Sequence, residues 1–99
     1  MSLLDNLEND LRVLGNSEVE IAGNLRALDI KGEIGKPYNC PISVFLKSKG
    51  YGFPSVRLNN IFVSSGPGGN KTFDSMETPY TIKNFVKLFD DGEYPELIQ

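Results

Sequence analysis

Ninety-nine residues, 39% of them hydrophobic and 10% aromatic, suffice for one domain with little core to spare, and exceed what a disordered chain carries. No apolar run is long enough to span a membrane, and a lone cysteine, Cys40, excludes an internal disulfide framework. The net charge is -3, and the absence of any histidine excludes Cys-His pairs, Ser-His triads and histidine-ligated metals.

The charge is unevenly placed. Asp5, Glu8, Asp10, Glu18 and Glu20 outweigh Arg12 in the first twenty residues, and Asp90, Asp91, Glu93 and Glu96 stand unopposed in the last ten. The basic residues gather between them, so acidic ends flank a basic middle. Either the ends fold back on the middle or the middle offers a face to an anionic partner.

Leu3, Leu4, Leu7, Leu11 and Leu14 follow helical spacing with acids on the other face, and Gly15 can stop that helix. The interleaved Asp5, Glu8 and Asp10 are unlike a secretory signal, so a cytoplasmic protein is expected. The leucine stripe exceeds what a small core readily covers, which makes a homodimer through Leu3, Leu7, Leu11 and Leu14 a second expectation. Residues 1–16 thus read as a helical segment, peripheral or dimerising, attached to a compact core at 17–99 within one domain.

Ser17 and Glu20 form a capping box for a second helix, whose apolar stripe is Ile21, Leu25 and Leu28. Asp29 to Asn39 reads as a connection with a short strand around Ile30. Pro41 suits the first position of a third helix burying Ile42, Phe45 and Leu46, and Gly50 ends it.

Two β-rich runs, Ser55–Leu58 and Ile61–Ser64, flank Asn59-Asn60, a pair that tolerates the positive φ of a two-residue type I′ turn. That turn predicts pairs Leu58–Ile61, Arg57–Phe62 and Val56–Val63. Four aliphatics then share one face, and Arg57 and Phe62 share the other. A Gly-rich loop follows, and Lys71 to Ser75 is expected as a third strand carrying Phe73. Thr78-Pro79 reads as a cap and first turn for a last helix. Ile82, Phe85, Val86 and Phe89 give that helix the strongest amphipathic pattern in the chain, Asp91-Gly92 closes it, and an extended tail starts at Tyr94-Pro95.

The fold expected is therefore α+β: short N-terminal helices, a two- or three-stranded antiparallel sheet with a hairpin at Asn59-Asn60, and a C-terminal helix packed on the sheet. The motifs that carry chemistry are weak. Cys40 sits at a helix start, where the dipole can activate a thiol, but a small apolar residue packed there is the plainer reading. Gly66 to Thr72 resembles the end of a phosphate-binding loop, but Asn70 replaces its final glycine and no helix pattern follows. Asn70-Lys71-Thr72 is also a glycosylation sequon, without function in a cytoplasmic protein. The acids at 90–96 have no spacing that sets two carboxylates across a substrate. No catalytic, cofactor or metal residue is assigned.

The segments Asn39-Cys40-Pro41-Ile42, Thr78-Pro79, Asn84-Phe85-Val86 and Phe89-Asp90-Asp91-Gly92-Glu93-Tyr94-Pro95-Glu96-Leu97 resemble small uncharacterised proteins of actinobacteria and their phages. The likeness covers roughly residues 17–99 and rests on short, mainly structural motifs. It implies a compact α+β fold and a phage or bacterial origin, and it brings no activity with it.

A non-enzymatic protein that binds another protein, such as a host factor, is the function expected. Arg57, Phe62, Phe73, Lys47 and Lys49 are its candidate partner-binding residues. The alternative is a nucleic-acid binder, because helix, connection, helix with Lys47 and Lys49, then a hairpin with Arg57 is the order of a winged helix-turn-helix. The long connection and acidic balance weigh against it. An enzyme using Cys40 is a further alternative, which the missing histidine disfavours.

Overall fold

The computed structural model describes residues 3–64 and 73–99, without the side chains of Leu3, Leu4 and Phe73. Its elements run α1 (Leu3–Leu14), α2 (Glu18–Ala27), α3 (Pro41–Ser48), β1 (Gly52–Val56), β2 (Asn60–Ser64), β3 (Phe73–Glu77) and α4 (Tyr80–Asp90). A 3-10 turn follows at Pro95–Leu97. The strands form one antiparallel sheet in the order β1-β2-β3. The α+β class is as expected.

Period decides what each element buries. Leu7, Leu11 and Leu14 of α1, Ile21 and Leu25 of α2, and Ile42, Phe45 and Leu46 of α3 enter a single core. Val56, Ile61 and Val63 enter it from the sheet, and Ile82, Phe85 and Phe89 from α4. Each such side chain contributes about 1.5–3 kcal/mol when fully buried. Leu7, Leu11 and Leu14 of the expected dimer face are covered by their own chain, and the Leu3 side chain lies outside the described ones. Leu28, expected on the stripe of α2, lies past its end and is exposed.

The helix ends follow the capping signals with two departures. Ser17 Oγ accepts from the Glu20 N–H at 3.2 Å, but the Glu20 carboxylate accepts from the Asn16 N–H at 2.9 Å, one residue beyond the cap. Pro79, without a side-chain cap bond, stands at the start of α4. Thr78 is turned away from that helix, its hydroxyl donating to the Arg57 carbonyl at 2.6 Å and its N–H to the Asn59 carbonyl at 3.0 Å.

Those two bonds explain why the hairpin differs from expectation. Val56 pairs with Ile61 and Ser55 with Phe62, a register two residues from the predicted one. The tip is Leu58-Asn59, closed by the Arg57 N–H on the Asn60 carbonyl at 3.0 Å. Neither Asn59 nor Asn60 has positive φ, so the turn is not type I′. A slip of two preserves faces, so Val56, Ile61 and Val63 stay in the core. Leu58 leaves the ladder and becomes 40% exposed at the tip.

Near its start β1 carries a bulge. Gly52 pairs with Ser64 and Ser55 with Phe62, so Phe53 and Pro54 together oppose Val63. Phe53 takes up the extra residue at φ +45°.

The third strand starts at Phe73 and runs to Glu77, two residues past the expected end. Lys71 and Thr72, the phosphate-loop-like segment and the sequon lie outside the described residues. The strand expected around Ile30 is a single parallel bridge, Gly32 with Ile98. It ties down the tail expected to be extended: the Gly32 N–H donates to the Leu97 carbonyl and the Gln99 N–H to Gly32. Leu97 thereby reaches the core. Only glycine fits position 32, since a Cβ there would lie 2.4 Å from the Pro41 nitrogen.

Candidate functional site

Alternation along β2 sends Ile61 and Val63 into the core and Phe62 to the reverse face of the sheet, where it is half-buried. Ser55 on β1 and Ser75 on β3 flank it in register. Two serine side chains are too small to cover a phenyl ring. Asn60, Ser75 and Glu77 on the same face are exposed, and no aromatic ring stacks on Phe62 among the described residues. The helices supply the core on the other side.

Arg57 lies at the rim of this face. The register correction takes it out of the ladder position opposite Phe62 and puts it at the base of the hairpin tip. It still lines, with Ser55, Asn59, Asn60 and Phe62, an open depression of about 560 Å³. A smaller one of about 320 Å³ lies across the tip between Asn59, Asn60, Glu77, Thr78 and Lys83. The Arg57 guanidinium is exposed and has no ion-pair partner among the described residues.

Lys47 and Lys49 are placed elsewhere. Both are exposed at the end of α3, with the Lys49 ammonium 5.6 Å from the Phe45 ring centroid. From there β1 runs away for roughly 13 Å before the tip that carries Arg57, so the three cations do not form one patch. Phe73 is the register partner of Ser64, and its side chain lies outside the described ones.

The remaining chemical candidates are engaged structurally. Cys40 is 2% exposed, its sulfur 3.5 Å from Ser43 Oγ. Burial pushes its thiol pKa up, opposite to the shift that makes a cysteine reactive. Asp90 accepts from the Gly35 N–H at 3.0 Å, and Glu96 pairs with Arg26 at 2.5 Å. Its own backbone N–H and the Arg26 guanidinium hold the Glu96 carboxyl below its usual range. Among the described residues no group of three or more His, Cys, Asp or Glu could hold a metal ion, and no helix is long and apolar enough to cross a membrane.

Phe53 escaped the sequence reading. It is 64% exposed in a backbone conformation that side-chain-bearing residues avoid. The available signal was Pro54, since proline within a strand marks an edge or a bulge. Comparison with known proteins adds no relative: no family model, no curated sequence and no solved structure matches the chain.

Proposed function

We propose that this chain is a small protein-binding domain whose partner docks on the reverse face of the sheet, with Phe62 as anchor and Arg57 at the rim. The observation that carries the reading is the half-buried Phe62 ring between Ser55 and Ser75, facing an open depression. Aromatic residues, phenylalanine among them, and arginine are enriched in protein–protein interfaces. The likeness to small actinobacterial and phage proteins makes a cytoplasmic bacterial factor the first class of partner to test.

The nucleic-acid alternative draws less support. In a winged helix-turn-helix the two helices pack as a pair, whereas here α2 packs chiefly on α4, α1 and the 3-10 turn, and α3 on β1. The separation of Lys47 and Lys49 from Arg57 also denies it a continuous basic footprint.

Pull-down from an actinobacterial lysate with the wild-type chain and with Phe62→Ala tests the reading. A protein retained by the wild type should be lost from the variant, whose thermal midpoint should stay within about 3 °C of the wild type. Equal capture by both would overturn the proposal, and a fall of more than about 8 °C would assign Phe62 to structure instead.

A further inference from the structure

The register of the sheet specifies which backbone groups remain unused. The bond from the Thr78 N–H to Asn59 sets the phase of the β2–β3 ladder. In an antiparallel pair, close-bonded residues alternate with unbonded ones. Ile61 with Met76 and Val63 with Asp74 are thus the bonded pairs, and the N–H and C=O groups of Phe73, Ser75 and Glu77 point away from β2. No backbone bond from a described residue reaches them, and Ser75 and Glu77 are exposed.

The opposite edge is closed. Pro54 has no N–H to offer, the bulge at Phe53-Pro54 breaks the edge, and the Val56 N–H is taken by the Pro37 carbonyl at 2.8 Å. One edge of the sheet is finished, and the other keeps a row of donors and acceptors that no described backbone group takes.

Charge then discriminates between occupants. Asp74 and Glu77 lie on β3, and neither has an ion-pair partner among the described residues. A second copy pairing edge to edge would bring four carboxylates to one seam, which like-charge repulsion disfavours. An extended segment bearing lysine or arginine would be drawn to the same seam. We propose that the outer edge of β3 accepts a basic, extended segment of the partner as a fourth strand.

This rests on the reading of the chain as a protein-binding domain, and it specifies the partner's form. Strand addition derives affinity from main-chain bonds and specificity from alternate side chains. On the reverse face the added strand's residue opposite Ser75 lies two strand spacings, about 10 Å, from Phe62. With only a serine between them, a long apolar side chain there can lean over to the ring. The residue opposite Glu77 on that face is the basic one.

Amide hydrogen exchange on the isotope-labelled full chain tests this, using an acetylated peptide of the repeat Lys-Thr-Leu-Thr, which sets lysine and leucine alternately on one face, in about 0.15 M salt. In the free chain the Ser75 and Glu77 amides should exchange about tenfold or more faster than those of Asp74 and Met76. The peptide should slow Ser75 and Glu77 by about tenfold or more. The same peptide N-methylated at every residue, unable to pair through either edge, should not, nor should the peptide with glutamate in place of lysine. Slow Ser75 and Glu77 amides in the free chain, no slowing with peptide, or equal slowing by the methylated peptide would each overturn the proposal. So would a dimer on sedimentation that slows the same amides without peptide, since it gives the edge to a second copy. If the edge fails while Phe62→Ala still loses the captured protein, the docking face stands and only the strand addition falls.

Discussion

Phe53 carries a backbone cost that its side chain does not repay through burial. At φ +45° a residue with a Cβ loses about 1–2 kcal/mol relative to right-handed conformations, and glycine loses none of it. Glycine gives back about 0.5–1 kcal/mol through its freer unfolded chain. Phe53→Gly should therefore stabilise the protein by about 0.5–1 kcal/mol, raising the thermal midpoint by roughly 2–8 °C. Phe53→Ala keeps the strain and removes only an exposed ring, so it should leave the midpoint nearly unchanged. A lower midpoint for both variants would mean that the ring packs on the fold more than its exposure implies. At this scale Phe62 was legible in the sequence, because strand alternation alone sets its face. Phe53 was not, because alternation fails at a bulge and one extra residue resets every position before it.

Among the elements, those read correctly are those whose pattern is local. The stripe of α4, the stripe of α1 and the proline start of α3 each need only their own residues, and all three helices are where those residues place them. The hairpin existed in the sequence, but its turn depended on a residue far along the chain. Asn59-Asn60 suits a type I′ turn locally, yet Thr78 takes the Arg57 and Asn59 carbonyls and holds a different tip. Thr78 does not cap the helix, because it stands one residue before the cap position held by Pro79, with its hydroxyl turned to Arg57. Thr78→Val keeps shape and removes the hydroxyl bond, at a cost of about 1 kcal/mol or roughly 4–8 °C in midpoint. The variant should also speed amide exchange around the hairpin tip. An unchanged midpoint would show that the tip holds its register without Thr78.

For the molecule as a whole, the charge pattern of acidic ends and a basic middle resolves into mostly neutral partnerships. Asp10 accepts from the Tyr51 hydroxyl at 2.7 Å and Asp90 from a backbone N–H, while Arg26–Glu96 is the one ion pair between distant segments among the described residues. The ends do fold back, but apolar burial rather than charge carries them: Leu97 at one end, and Leu7, Leu11 and Leu14 at the other. This makes α1 part of the domain. Removing residues 1–16 would take away three buried leucines worth together about 5–9 kcal/mol. It would also remove the Asp10–Tyr51 bond and the bond from Asn24 Nδ2 to the Leu14 carbonyl. A domain of this size has only about 5–15 kcal/mol of net stability to lose. The chain 17–99 should therefore lack a cooperative thermal transition, followed by circular dichroism, where the full chain shows one. A sharp transition in the shortened chain would return α1 to the role of a detachable appendage. Its leucine face would then be free for a second copy, and the stripe would again compete with the β3 edge as the surface through which this protein meets its partners.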